Sequence, residues 1–214
     1  MDKPDPKWRR RSAARPGEIA AAALAVFGEC GFAAARLEAI AARAGVSKGA
    51  LYLYFPTKEE LFRGAVGEAV RPLLSALDGA AQVDGPFAEV MPRLLARAAE
   101  ALGRGPTAAV ARSVIAESRN FPDLARIWHD AVAGRALAGV AAMTARAQAR
   151  GEVRAGDPRL IAFSLMGPLV MGALFREVFA EAGADAPDLQ ALAEAHARLM
   201  LRALSPSPLP LAED

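Results

Sequence analysis

The residues Gly45-Val46-Ser47 constrain this chain more than any other short stretch. They lie between two runs whose apolar residues recur at helical spacing, Leu37, Ile40, Ala41 and Ala44 before them and Leu51 and Phe55 after them. Gly45 can supply a positive φ, Val46 a plug for the core, and Ser47 an N-cap for the next helix. Two short helices joined by a Gly-containing turn make a helix-turn-helix. The second helix, Lys48 to Phe55, stops at Pro56, and Thr57-Lys58-Glu59-Glu60 opens another as a capping box, with Leu61, Phe62, Ala65, Val66, Ala69 and Val70 behind it. Ahead of the pair, Ile19, Ala23, Val26, Phe27 and Cys30 predict a helix over about 16–30, stopped by Gly31.

Composition extends this pattern to the whole chain. Of 214 residues 52 are alanine and only 13 aromatic, which favours helix and opposes a β fold. The expected class is all-α. One cysteine excludes an internal disulfide framework, and no Cys/His cluster suggests structural zinc. The polar start lacks a signal-peptide core, and the longest apolar run, Leu160 to Phe175, is short for a membrane span. A cytoplasmic protein without membrane contact or cofactor is therefore expected.

The net charge of +2 hides an asymmetry. Residues 1–64 hold 11 Lys and Arg against 7 Asp and Glu, a net of +4, whereas residues 65–214 hold 15 against 17, a net of −2. A basic front suits a polyanion, although a solubilising tail has the same composition. The helix-turn-helix adds the needed detail. Its second helix starts with small residues, Gly49 and Ala50, and turns Lys48, Tyr52 and Leu53 away from Leu51 and Phe55, as entry into a DNA groove requires. Lys58 and the Tyr52 phenol suit phosphate oxygens. Spacing alone also fits a purely structural helical pair.

The run Ile19–Phe27, Gly31-Phe32 and Ile40-Ala41-Ala42-Arg43-Ala44-Gly45-Val46-Ser47-Lys48-Gly49-Ala50-Leu51-Tyr52-Leu53-Tyr54-Phe55-Pro56-Thr57-Lys58-Glu59-Glu60-Leu61 closely resembles the N-terminal domain of the TetR/AcrR transcriptional regulators. The resemblance implies a three-helix DNA-binding head, a larger all-helical domain that binds an inducer, and a homodimer on a near-palindromic operator. It divides the chain into a flexible basic arm (1–15), the head (16–64), a ligand-binding and dimerisation domain (65–205) and a disordered tail (206–214). The implied DNA-facing set is Arg36, Ser47, Lys48, Gly49, Ala50, Tyr52, Leu53, Tyr54 and Lys58. Two positions depart from the family pattern. Ala35 and Arg36 stand where a capping Thr or Ser is usual, and Ala50, often Thr, can touch a thymine methyl but cannot hydrogen-bond a base edge.

Beyond the head, helices are expected at about 58–77, 87–102, 107–118, 122–149, 158–180 and 187–204, with Pro72 either kinking the first or splitting it. Asp157-Pro158 is a strong helix start, and Pro168 must free the carbonyl of Ser164. The last two helices are the dimer candidates, through Leu165, Leu169, Leu174, Val178, Leu192, His196 and Leu199. Met and aromatic residues suited to an apolar ligand cavity are Met91, Leu95, Phe121, Trp128, Met143, Phe163, Met166, Met171 and Phe175, with His129 as a possible polar contact. Ordinary core is the competing assignment for each of them.

Three rival functions remain. An enzyme needs a nucleophile with a base, paired carboxylates or a cofactor loop, and the sequence has no such motif. A helical interaction module would bind protein and not DNA. A redox-sensing regulator would act through Cys30, which the helical phase of 16–30 puts on the packed face. The reading that follows is a repressor whose inducer favours a conformation with the heads wrongly spaced for successive major grooves.

Overall fold

Capping residues and glycines set several helix ends in the computed structural model, which describes residues 7–82, 85–104 and 107–206. The helices are α1 (Lys7–Ala34), α2 (Leu37–Arg43), α3 (Lys48–Tyr54), α4 (Lys58–Gln82), α5 (Phe87–Arg104), α6 (Thr107–Glu117), α7 (Pro122–Trp128), α8 (Gly134–Ala149), α9 (Pro158–Phe179) and α10 (Leu189–Ala203). Among the described residues there is no strand. The chain divides into two compact units, residues 1–70 with 109–131 and residues 71–108 with 132–214.

The first unit forms around aromatic rings. Phe27, Phe32 and Phe62 are fully buried, with ring centroids 5.3–5.5 Å apart, and Phe121 meets Phe32 edge-on at 5.2 Å. Ile19, Ala23, Ile40, Leu51, Leu61 and Val66 complete the core. At Gly31 the backbone of α1 leaves helical geometry, with φ 78° and ψ 170°, a region essentially reserved for glycine. The N–H groups freed by that break, those of Phe32 and Ala33, donate to the carboxylate of Glu117 at 2.7 and 2.6 Å. Just before the break, Arg112 donates to the Gly28 carbonyl at 3.1 Å and the Ser113 hydroxyl to that of Phe27 at 3.4 Å. Three side chains of α6 thus satisfy backbone groups that the break strips of helical partners.

Residues 7–15, within the expected basic arm, form the first turns of α1, since Lys, Arg and Ala all favour helix. Residues 1–6 and 207–214 of the expected arm and tail lie outside the described residues. Cys30 differs from expectation. It is exposed, with its thiol donating to the Val26 carbonyl at 3.1 Å. The inward stripe of α1 runs through Ala23, Val26 and Phe27, and the chain turns away at Gly31 before another turn can be buried. Helix α4 runs past Pro72 to Gln82, which excludes the stop and restart, one of the two alternatives for Pro72.

In the second unit α5 packs on α9 and α10, and α9 packs on α8 and α10. The core includes Met91, Leu94, Leu95, Val140, Leu165, Leu169, Ala193 and Ala197. Gly172 permits the close approach of α10, because a Cβ there would lie 2.9 Å from Leu192 and 3.0 Å from Leu189. Asp157 caps α9 by accepting from Arg159 N–H at 2.8 Å, with Pro158 at the first helical position as expected. The expected 122–149 helix is interrupted by a π-helical turn, His129–Ala133, between α7 and α8. Pro168 sits inside α9, and the Ser164 carbonyl it frees lies 3.0 Å from His196 Nε2 of α10. At 22 residues α9 exceeds the 16-residue apolar run because it takes in Arg159 and Arg176. It and Pro16–Ala34 are long and apolar enough to cross a membrane by composition, so length alone gives no argument against a span.

Candidate nucleic-acid interface

The turn between α2 and α3 is a Schellman motif. Gly45, at φ 65°, lets its own N–H reach the Ala42 carbonyl at 3.1 Å, while Val46 N–H reaches that of Ala41 at 3.0 Å. Ser47 then caps α3, its hydroxyl accepting from Ala50 N–H at 3.1 Å. Thr57 caps α4 by accepting from Glu60 N–H at 3.1 Å. Arg36 occupies the N-cap of α2 and makes no side-chain cap, as its departure from the usual residue implies.

With α3 anchored by Leu51, which is fully buried, the opposite side is open. Leu53 is 84% exposed, Tyr52 and Tyr54 are exposed, and Gly49 presents no side chain. Ser47 and Lys48 are exposed and Ala50 is half-buried. Of the expected DNA-facing set on α3 and its cap, every residue but the half-buried Ala50 is exposed.

The cations behave differently from one another. Lys48 Nζ donates to Glu38 Oε1 of α2 in a short ion pair and lies 5.9 Å from the Tyr52 ring centroid. That hydrogen bond raises the Lys48 pKa and lowers that of Glu38. Arg43 pairs with Glu29 at 2.6 Å. Lys58 is half-buried, donates to the Ala33 carbonyl at 3.1 Å and sits 4.7 Å from the Phe32 ring centroid. Burial lowers its pKa, opposed by the nearby Glu117 carboxylate. Its ammonium thus holds the head together as well as being near the surface. Glu38 and Glu117 were not singled out in the sequence. Glu38 was detectable as an acid within a basic segment, but Glu117 reaches its partners across 84 residues of chain and had no local signal.

The residues expected to line a ligand cavity separate. Met91, Leu95, Met143 and Met166 are buried in the second unit. Phe121, Trp128 and His129 belong to the first unit, where Phe121 packs on Phe32 and exposed His129 pairs with Asp130 at 3.0 Å. Phe163, Met171 and Phe175 are exposed on α9. A half-open depression of about 200 Å³ lies in the second unit, lined by Leu102, Gly103, Ala173, Arg176, Glu177 and Leu189 among others, none of them a residue expected to line a ligand cavity.

The expected dimer residues also sort by face. Leu165 and Leu169 are fully buried in their own protomer, Leu174, Leu192 and His196 are half-buried, and Val178 and Leu199 are exposed. The open side of α9 carries Leu160, Phe163, Val170, Met171, Phe175, Val178 and Phe179. Periodicity had shown that α9 is apolar on several sides without showing which side its own chain covers.

Two family profiles match the chain. "Bacterial regulatory proteins, tetR family" covers residues 19–65, and "Tetracyclin repressor-like, C-terminal domain" covers residues 84–187. The HTH-type transcriptional regulator RutR of Escherichia coli strain K12 is 37% identical over 84 residues, 39% of this chain and 40% of that regulator, so the match spans about two fifths of the relative's length. A candidate TetR-family transcriptional regulator from Mesorhizobium loti has a similar structure, with TM-score 0.74 and 27% identity over 91% of this chain and 98% of that one. FadR of Bacillus subtilis, solved with stearoyl-CoA, shares the fold with TM-score 0.71 and 20% identity over 88% and 98%. Both profiles describe one family, and together with the helix-turn-helix they show that this chain belongs to the TetR family of transcriptional regulators.

Proposed function

We propose that the protein is a ligand-responsive DNA-binding regulator, a repressor that sits as a homodimer on a near-palindromic operator and is released by a small-molecule inducer. The observation carrying this reading is α3, where Leu51 is fully buried and Leu53 is 84% exposed on the side that Gly49 and the exposed Tyr52 share. A helix held by one side and open on the other, with small residues at its start, is what a major groove accepts. Residues 16–64 form the DNA-binding part and residues 65–205 the part for inducer and partner. Ser47, Lys48, Gly49, Leu53 and Tyr54 face the groove, while Arg36, Tyr52 and Lys58 serve phosphates. The protein acts in the cytoplasm and has no catalytic role.

The unpaired apolar side of α9, with Leu199 of α10, is the surface that a second copy would cover, since exposed apolar patches of this kind mark interfaces. The inducer is largely apolar and binds in the second unit, where the buried and adaptable Met91, Met143 and Met166 re-pack to admit it. The stearoyl-CoA held by FadR is a precedent from a protein of this fold. Inducer and operator then exclude each other by linkage, each favouring a different conformation.

Selection of bound sequences from a random DNA pool tests the reading. A two-fold symmetric motif, with half-sites about one helical turn apart, is the expected result. A pool that stays random after repeated selection rejects DNA binding, and an enriched but asymmetric single site rejects the dimer.

A further inference from the structure

An acidic residue lies within the surface assigned to a polyanion. Glu38 is the second residue of α2, and its carboxylate accepts from the ammonium of Lys48, the first residue of α3. Both side chains are well exposed, 60% for Glu38 and 51% for Lys48. Burial therefore does not require the pair, and the fold does not depend on it as it depends on the Glu117 contacts. Arg36 adds a further electrostatic contact to the same carboxylate. Near phosphate oxygens a carboxylate is repelled, so Glu38 works against the contact that Lys48 would otherwise make with any DNA of any sequence.

Resting on the DNA-binding reading, we propose that Glu38 is a specificity-determining residue that holds the Lys48 ammonium back from indiscriminate phosphate contact. At a guanine in the groove Lys48 keeps its bond to Glu38 while another of its three N–H groups reaches O6 or N7, whereas reaching a phosphate breaks the pair. Phosphates are present at every site and guanine acceptors only at some, so the pair lowers affinity for random DNA more than affinity for the operator. The gain is in the ratio of the two affinities, the quantity that decides occupancy among competing sites.

The test uses the full chain, a duplex recovered by selection and a scrambled duplex of equal length, titrated over a range of salt concentrations. Glu38→Gln keeps the side-chain shape and removes the charge. It is expected to bind the scrambled duplex about tenfold more tightly at 0.1 M salt, with a log–log salt slope steeper by about 1.8, the counterion-release value of two added phosphate contacts, one from each protomer of the dimer. The ratio of selected to scrambled affinity falls correspondingly. Adding Lys48→Met must remove most of that gain and the added salt slope, since without the ammonium only relief of the carboxylate's own repulsion is left. The inference is overturned if Glu38→Gln leaves the scrambled affinity and slope unchanged, or if the full gain persists in the Lys48→Met background. Wild type binding neither duplex removes the DNA-binding reading and this inference with it. Wild type discriminating, with Glu38→Gln equal to it, removes this inference alone. Unchanged melting of Glu38→Gln checks that the variant is folded.

Discussion

Helices α3 and α9 both leave large apolar side chains in water, yet they are built for different neighbours. On α3 the open residues are few, Tyr52, Leu53 and Tyr54, on a helix of seven residues that begins with a lysine. On α9 they run from Leu160 to Phe179 along a helix of 22 residues. A short apolar patch with phenols and a cation beside it complements a groove that is polar at its edges and methylated on its floor. A long uncharged stripe complements only another apolar surface. Exposure alone therefore does not identify a partner; the extent of the patch and the polar groups at its edge do.

The largest expected effect comes from charging the long stripe. Phe163→Glu with Met171→Glu should leave the protomer folded, convert dimer to monomer in light scattering, and weaken operator binding on the order of a hundredfold or more, the scale of losing two central anchors. A variant that remained dimeric would place the partner surface elsewhere and end the contrast with α3. Next in size is a pair of leucine truncations. Leu165→Ala, fully buried on the inner side of α9, should cost about 2–5 kcal/mol in denaturant unfolding, whereas Leu53→Ala on α3 should stay within about 0.5 kcal/mol and act on operator affinity instead. Equal stability losses would mean that α3 is not the open helix described above.

The supports behind the two faces differ as well. Behind α3 the head relies on the break at Gly31, where a Cβ would need a backbone geometry that L residues rarely adopt and would collide with the Glu117 carboxylate. Gly31→Ala should therefore cost about 1–3 kcal/mol, read as a lowered melting temperature together with weaker DNA binding. In the second unit Glu152 accepts from Phe87 N–H at 2.7 Å and from Arg150 at 2.6 Å. Those two interactions, that with Arg150 foremost, hold its carboxyl at about 2, well below the usual carboxylate range. The depressed value means that its contribution to stability is complete above the unfolded pKa and is lost as pH falls from about 4.5 toward 2. The expected effect is the smallest of the four. The melting-temperature gap between wild type and Glu152→Gln should be constant above pH 5 and narrow below 4.5, and a gap independent of pH would show that the charge is irrelevant.

Local signals were readable in the sequence wherever one residue settles the matter. Gly45 and Ser47 end and begin helices in the manner expected of them, Asp157-Pro158 starts α9, and Pro168 frees the Ser164 carbonyl that His196 meets. Placement against other elements was not readable in this way. Cys30 fits the inward periodicity of α1 but is exposed because the chain turns at Gly31. Leu165 and Leu169 fit an interface but are covered by their own chain, whereas Phe163, Met171 and Phe175 fit a cavity but face outward.

The sequence by itself determined the all-helical class, the turn that sets α3 against α2 and the surface that α3 leaves open, since each depends on contacts a few residues apart. Only the tertiary structure decided that residues 109–131 join the head in one compact unit, that Glu117 holds the break after Gly31, and that Glu38 pairs with Lys48. The reason is physical. Helical periodicity records which sides of a helix are apolar, but whether such a side becomes core, cavity or interface depends on residues tens of positions away, whose approach leaves no local pattern.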